Sequence, residues 1–121
     1  MIDNPLVMAY MGDTIYEQYI REFLIRSGLS KIGELQQRSL DYVSARSQRR
    51  HLERLFDANF LTEEELEYVK WGRNAKGAKT KNADIVTYRL ATGLETLIGK
   101  LYFQDKKERI KEIMEFIIGE E

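Results

Sequence analysis

The sequence predicts an all-α fold, and three observations support this. The only proline is at position 5, so no helix interior contains a residue that lacks a backbone donor. Strict alternation of apolar and polar residues, which is typical of strands, is sustained nowhere. A chain of 121 residues with 43% hydrophobic residues is the size of one domain with its own core. We therefore expect residues 1–121 to form a single helical domain.

Capping residues mark the first three helices. Asn4 followed by Pro5 predicts the start of the first helix, because asparagine caps free N–H groups and proline suits the first helical position. Gly28 is typical of the residue that follows a helix, so this helix is expected to end just before it. Ser30 is expected to open the second helix and Ser44 to cap the third.

The second half of the chain contains one clear helix start and one clear loop. Thr62 and Glu65 have the spacing of a capping box, which predicts the start of the fourth helix. Residues 72–82 (GRNAKGAKTKN) have two glycines and no apolar period, so they are predicted to form a loop. A long helix is expected to follow over residues 84–103.

Two helices are predicted to be amphipathic. The third is basic on one side, and its buried side is predicted to carry Leu52, Leu55 and Phe56. Asp105 and Glu108 have the spacing of a second capping box, which predicts a final helix. The apolar face of that helix contains Ile110, Ile113, Met114 and Ile117.

The composition excludes several kinds of chemistry. Cysteine is absent, which rules out disulfides, thiolate metal sites and a cysteine nucleophile. The single histidine, His51, excludes a site built from several imidazoles. Carboxylates, amines, hydroxyls and an oxygen-bound metal remain available. No apolar run is long enough to span a membrane and no leader pattern opens the chain, so we expect a cytoplasmic protein without membrane contact.

The net charge of −1 argues against a protein that coats nucleic acid through bulk positive charge. Residues 68–83 nevertheless contain no acidic residue, and the remainder of the chain carries about −6. This segment either contacts phosphate groups or is an ordinary solvated loop. Its basic residues are Lys70, Arg73, Lys76, Lys79 and Lys81. A second basic cluster, Arg46, Arg49 and Arg50, is interpreted as a solvated helix face, with His51 on the same surface.

Two acidic residues lie on mostly apolar helix faces. At 100° per residue, the face around Asp13 contains Leu6, Ala9, Tyr16, Glu17, Ile20 and Leu24. The face around Glu95 contains Tyr88, Ala91, Ile98, Gly99 and Tyr102. A buried carboxylate must be protonated, paired with a base or bound to a cation. With no thiol and one histidine, a hard divalent ion such as Mg²⁺ would fit, and packing the two helices together would bring the acids face to face.

A simpler interpretation is also open: each acid pairs with an arginine or lies at the edge of its apolar stripe. Gly12 directly precedes Asp13, and Gly99 lies one turn after Glu95. Glycine destabilises a helix interior relative to alanine by roughly 0.5–1 kcal/mol, so these glycines indicate a close helix approach or space for a ligand.

Residues 9–17 (AYMGDTIYE) resemble the signature helix of ribonuclease III domains, and residues 91–102 (ATGLETLIGKLY) resemble their second acidic motif. The segments Tyr42-Val43-Ser44 and Trp71-Gly72-Arg73 fit the order and spacing of the helices between them. The pattern is most similar to the small bacterial branch, Mini-ribonuclease III, which has the catalytic domain without a double-stranded-RNA-binding domain. This resemblance implies a helical homodimer that hydrolyses double-stranded RNA with Mg²⁺ and matures 23S ribosomal RNA, leaving 5′-phosphate and 3′-hydroxyl ends.

The resemblance also assigns roles to particular residues. Asp13 and Glu95 match the acidic positions that bind the metal and carry catalysis. Ala9 and Thr92 stand where the larger enzymes have a glutamate and an aspartate, so half of the acidic set is absent. The remaining coordination positions would be filled by water and RNA phosphate.

Glu17 lies one turn after Asp13 and either assists the metal site or simply pairs with Arg21, the interpretation we favour. For the basic segment, the resemblance makes phosphate contact the expectation for Arg73, Lys76, Lys79 and Lys81.

Besides the enzyme, two non-catalytic functions remain open at this point. The chain is either an enzyme or a non-catalytic helical module that binds double-stranded RNA or the ribosome, and the absent acids at Ala9 and Thr92 favour the module. Asp13 and Glu95 favour the enzyme, because a binding protein gains nothing from carboxylates that face phosphate. A purely structural helical dimer would leave the basic segment and the glycines unexplained.

Overall fold

The structure, a computed structural model, describes residues 3–76 and 84–119. All regular structure in these residues is helical, which confirms the all-α prediction. The helices are α1 (Pro5–Arg26), α2 (Ile32–Val43), α3 (Ala45–Asp57), α4 (Glu63–Arg73), α5 (Ile85–Phe103) and α6 (Lys107–Ile118). None of the helices in the described ranges is long and apolar enough to cross a membrane.

Most helix starts follow the capping residues that the sequence indicates. Asn4 Oδ1 accepts hydrogen bonds from the first free N–H groups of α1, at 2.8 and 3.3 Å. The Ser44 side chain caps α3 by accepting from the third residue of that helix at 3.2 Å. Thr62 and Glu65 form the reciprocal bonds of a capping box, at 2.9 and 3.1 Å. Gly28, with φ of +103°, follows α1 in the left-handed conformation that favours glycine.

Two predicted caps are wrong. The N-cap of α2 is Lys31 rather than Ser30, and no side chain caps this helix. The N-cap of α6 is Lys106, also without a side-chain bond, and Asp105 has a φ of +58°. The reason is that Asp105 and Lys106 donate their N–H groups back to the last turn of α5, both at 3.0 Å. These two bonds form a helix-ending Schellman motif, so Asp105 closes α5 instead of opening α6.

Helix α5 is the centre of the fold, and it packs against α1, α3, α4 and α6. Its crossing with α1 is closest at the two glycines that the sequence singles out. A Cβ atom on Gly12 would overlap the carbonyl oxygen of Glu95, and one on Gly99 would overlap the carbonyl oxygen of Met8. The predicted close helix approach is therefore present, and it brings backbone against backbone.

Helix α4 approaches α5 through a second pair of small residues. A Cβ atom on Gly72 would overlap the side chain of Thr96, and one on Gly93 would lie 2.7 Å from the carbonyl oxygen of Val69. The Thr96 hydroxyl is buried and donates to the carbonyl oxygen of Pro5 at 3.0 Å. Small residues on two sides of α5 thus fix its distance from α1 and from α4.

Helix α3 departs from the sequence interpretation at two positions. His51 is fully buried, and its ring stacks on Tyr42 with centroids 5.7 Å apart, so its assignment to the surface is wrong. The helix period explains this, because His51 shares a face with the buried Leu52 and Leu55. Phe56, predicted to be buried, is 38% exposed.

The basic cluster on α3 is only partly a solvated face. Arg46 and Arg50 are exposed, as that interpretation requires. Arg49 is half-buried and donates to the Thr87 hydroxyl at 2.8 Å, and it forms an ion pair with Glu53 at 3.3 Å. Arg49 therefore ties α3 to the start of α5.

Candidate active site

The α1–α5 crossing places Asp13 and Glu95 side by side. Gly12 packs on the backbone of Glu95, and Asp13 is the next residue along α1. The Asp13 side chain is close enough to Glu95 to raise the pKa of the Glu95 carboxyl. The expectation that the two helices bring these acids together therefore agrees with the geometry.

The two acids differ in exposure, and this corrects one expectation. Glu95 is half-buried, but Asp13 is exposed, while Ala9 and Tyr16 of the same predicted stripe are buried. Asp13 thus lies at the rim of the stripe rather than inside it. The pair consists of an inner carboxylate on α5 and an outer carboxylate on α1 that faces solvent.

The environment of Glu95 disfavours its charge. Burial, followed by the hydrogen bond and the charge of Asp13, raises the pKa of Glu95 to about 8. The side-chain amide of Gln48 donates to Glu95 Oε2 at 3.3 Å and acts in the opposite direction. Glu95 therefore holds a proton near neutral pH in the absence of a cation, and a bound cation would displace that proton.

Tyr16 forms the buried side of the site. Its hydroxyl donates to the carbonyl oxygen of Tyr42 at 2.7 Å. Burial raises the pKa of the Tyr16 hydroxyl well above its usual value, and the charge of Glu95 raises it further. Tyr16 is therefore neutral at all physiological pH values. Its hydrogen bond to Tyr42 connects α1 to α2.

Glu17 pairs with Arg21, as the favoured interpretation predicts. The distance between Glu17 Oε2 and Arg21 Nη2 is 3.5 Å, and the two side chains are 38% and 73% exposed. Such an exposed pair contributes little to stability. The negative charge of Glu17 still adds to the field that raises the pKa of Glu95.

At the two positions without acids, Ala9 and Thr92 are buried in the packing between helices. Ala9 is 7% exposed and Thr92 is 5% exposed, and the Thr92 hydroxyl donates to the carbonyl oxygen of Tyr88 at 3.0 Å. Within residues 3–76 and 84–119, no group of three or more His, Cys, Asp or Glu side chains is arranged to hold a metal ion. A two-carboxylate site nevertheless suits Mg²⁺, which keeps several waters and takes one or two carboxylates together with substrate phosphates.

The structure describes part of the basic segment. Arg73 lies at the end of α4, where its Nε donates to Asn74 Oδ1 at 3.2 Å, and Lys76 is exposed just beyond it. Lys70 pairs with Glu67 at 3.7 Å. The predicted contacts of Lys79 and Lys81 lie outside the described residues.

Sequence reasoning missed one residue of the site, Gln48. It lies on α3 with only 2% of its surface exposed. A signal for it was available, since Gln48 precedes His51, Leu52 and Leu55 by three, four and seven residues, the spacing of one helix face. It is thus a polar side chain within an apolar stripe, the pattern that singled out both acids.

Comparison with known proteins gives the class of this domain. The Ribonuclease III domain pattern matches residues 6–106. The chain therefore belongs to the ribonuclease III family of endoribonucleases.

Its similarity to particular members extends over almost its whole length. A protein named Mini-ribonuclease 3 from Staphylococcus aureus is 43% identical over 116 residues, which cover 95% of this chain and 87% of that protein. A Mini-ribonuclease 3 from Brevibacillus brevis is 49% identical over 115 residues, which cover 94% and 84%. A crystal structure of a Fusobacterium nucleatum protein superimposes with a TM-score of 0.83 at 29% identity, covering 97% of this chain and 93% of that one.

Proposed function

We propose that this chain hydrolyses phosphodiester bonds in double-stranded RNA with Mg²⁺ bound by Asp13 and Glu95. The observation that carries this proposal is the acidic pair at the α1–α5 crossing, in a chain that belongs to the ribonuclease III family. Two adjacent carboxylates, one of which has a pKa raised to about 8, are favourable for a divalent cation and unfavourable without one.

The two carboxylates have different tasks in this proposal. Glu95, which accepts a hydrogen bond from Gln48, and Asp13, at the exposed rim, would hold the metal, and the exposure of Asp13 would leave it accessible to RNA. Mg²⁺ bound there would polarise the scissile phosphate and lower the pKa of the attacking water. Water and phosphate oxygens would supply the remaining ligands, since Ala9 and Thr92 provide no acid. The products carry 5′-phosphate and 3′-hydroxyl ends.

The substrate proposal is double-stranded RNA of the 23S ribosomal RNA precursor, in the cytoplasm. Such RNA is bound mainly through its shape, its phosphates and its 2′-hydroxyls, which basic side chains on a loop can contact. We assign these contacts to the segment after α4, through Arg73, Lys76, Lys79 and Lys81.

A homodimer completes this proposal. Two symmetric copies would present two acidic pairs and two basic segments, which explains how both strands are cut. The surface of α1 supports a partner, since Tyr10 is 82% exposed and Val7 is 46% exposed next to the crossing with α5.

The test of the enzymatic function is incubation of the protein with perfectly paired RNA, with Mg²⁺ and with a chelator. We expect cleavage in Mg²⁺ and intact RNA in the chelator, because both carboxylates need the metal to act on phosphate. The fragments are resolved on a denaturing gel and their ends identified by labelling. Binding without cleavage under both conditions would favour the non-catalytic RNA-binding module instead.

The basic segment predicts a salt dependence of RNA binding. Changing Lys76, Lys79 and Lys81 to alanine should weaken binding to double-stranded RNA. The slope of log K against log salt should become less steep by about 2 to 3, because binding releases fewer counterions when fewer phosphates are contacted. Binding is measured between low and moderate salt in a chelator, so that cleavage does not interfere.

A charge-matched variant controls for the change in net charge. Three exposed lysines lie away from the segment between α4 and α5: Lys31 just before α2, and Lys107 and Lys111 on α6. Changing these three lysines to alanine removes the same charge and should leave the slope close to that of the parent. Equal slopes for the parent and the first variant would remove the basic segment from RNA binding.

A further inference from the structure

Gln48 is the buried polar side chain of α3 that contacts the acidic pair. Its Nε2 donates to Glu95 Oε2 at 3.3 Å, and 2% of the residue is exposed. We infer that Gln48 is a positioning residue, whose amide holds the Glu95 carboxylate in the orientation that binds Mg²⁺. This inference rests on the proposed metal site and deepens it, because it identifies what supports Glu95 in a chain with no acid at Ala9 or Thr92.

The packing of α3 fixes where the amide of Gln48 points. Ser44 caps the helix, one turn before Gln48, and the His51 ring stacks on Tyr42 one turn after it, with an interplanar angle of 4°. Leu52, on the same face, is fully buried. The backbone of Gln48 is thus anchored on both sides, and its side chain is buried.

The chemistry of an amide suits this position. The N–H donor engages Oε2 of Glu95, which leaves Oε1 available to a cation. A donor also favours the ionised form of the carboxylate, the form that binds a cation. Residues that hold metal ligands in this way change metal affinity or activity by 10–100-fold when they are replaced.

The positions that carry acids in larger relatives of this fold do not provide this support. The buried Ala9 has no polar group, and the Thr92 hydroxyl donates within its own helix to Tyr88. Gln48 reaches Glu95 from a third helix instead. The metal site in this chain is therefore built by α1, α3 and α5 rather than by α1 and α5 alone.

The experiment is a titration with Mg²⁺ in the absence of RNA, followed by calorimetry or by the increase in melting temperature. We expect Gln48→Met, which keeps the length of the side chain and removes the donor, to bind Mg²⁺ 10–100-fold more weakly than the parent. RNA cleavage by this variant should then recover as Mg²⁺ is raised, so that the half-saturating Mg²⁺ concentration changes more than the maximal rate.

Gln104→Met is the matched control. Gln104 is half-buried and also donates from its amide, to the Tyr68 hydroxyl at 2.8 Å, but it lies at the far end of α5. This control should lose stability without losing Mg²⁺ affinity. If Gln48→Met does not fold, Gln48→Leu, which also lacks the donor, takes its place and should likewise bind Mg²⁺ 10–100-fold more weakly than the parent.

The outcomes separate this inference from the proposed function. A parent protein that binds no Mg²⁺ overturns both. A parent that binds Mg²⁺ and a Gln48→Met variant that binds it equally well overturn the role of Gln48 alone. Equal losses in the Gln48 and Gln104 variants would show a general effect of packing and would also overturn it. If Gln48→Leu is the variant used, Mg²⁺ binding as tight as that of the parent would also overturn the role of Gln48.

Discussion

Replacing Asp13 by Asn or Glu95 by Gln is expected to abolish cleavage of double-stranded RNA, with a loss of about 10³-fold or more. Each replacement keeps the size and shape of the side chain but removes the negative charge that binds the cation. Because Asp13 is exposed and Glu95 is only half-buried, neither change creates a cavity. Cleavage is measured in single turnovers at saturating protein, and RNA binding is measured separately. If either variant retains normal cleavage, that residue has no part in the mechanism.

The stability of the Glu95→Gln variant shows whether lost cleavage reflects lost folding. The pKa of Glu95 is raised by burial and by Asp13 to about 8 in the folded chain, from an ordinary value of 4.5. Between these values the folded state holds a proton that the unfolded state releases, so the free energy of unfolding falls as the pH rises from about 4.5 through 8. Glutamine has no charge and avoids this loss.

Above pH 8, without metal, Glu95→Gln should therefore be more stable than the parent, on the order of 1–3 kcal/mol. Urea unfolding at pH 5 and pH 8.5 in a chelator measures the difference, and adding Mg²⁺ at the higher pH should stabilise the parent but not the variant. A parent stability that does not change between these two pH values would contradict the prediction.

The sequence predicts helix starts well where the signal is contained within one turn. Asn4, Ser44 and Thr62 each cap the helix that follows them, because a side-chain oxygen reaches N–H groups only two or three residues away. Asp105 has the same kind of signal, but the end of α5 needs a residue in the left-handed conformation at that position. When two helices are joined by a short connection, the end of the first competes with the start of the second, and spacing alone does not decide between them.

The sequence predicts that Asp13 and Glu95 are neighbours, but it does not predict how deeply each side chain is buried. Gly12 and Gly99 indicated the close crossing that brings Asp13 and Glu95 together, since a glycine inside a helix is a local and visible feature. Helix periodicity places a residue on a face but does not locate the edge of that face, which is why Asp13 is exposed. The contact from Gln48 depends on how α3 packs on α5, and no spacing within either helix contains that information.

Gly12→Ala is expected to damage both the fold and the acidic pair. The added Cβ would overlap the carbonyl oxygen of Glu95 and lie 2.9 Å from the backbone nitrogen of Gly99. Backbone atoms inside a helix cannot move aside as a flexible side chain can, so α1 and α5 must separate. We expect the free energy of unfolding to fall by about 3 kcal/mol. Cleavage should fall about 10²-fold in the molecules that remain folded, because the crossing sets the distance between Asp13 and Glu95.

Gly33→Ala separates this steric effect from the general effect of replacing a helical glycine. Gly33 lies in α2, and a Cβ atom there would meet nothing within 4 Å. Alanine should therefore stabilise the protein by a few tenths to about 1 kcal/mol through its higher helix propensity, with cleavage unchanged. Urea unfolding and Mg²⁺ titration of both variants measure the contrast. If Gly12→Ala behaved like Gly33→Ala, the α1–α5 contact would tolerate a methyl group, and the acids would not depend on that crossing for their spacing.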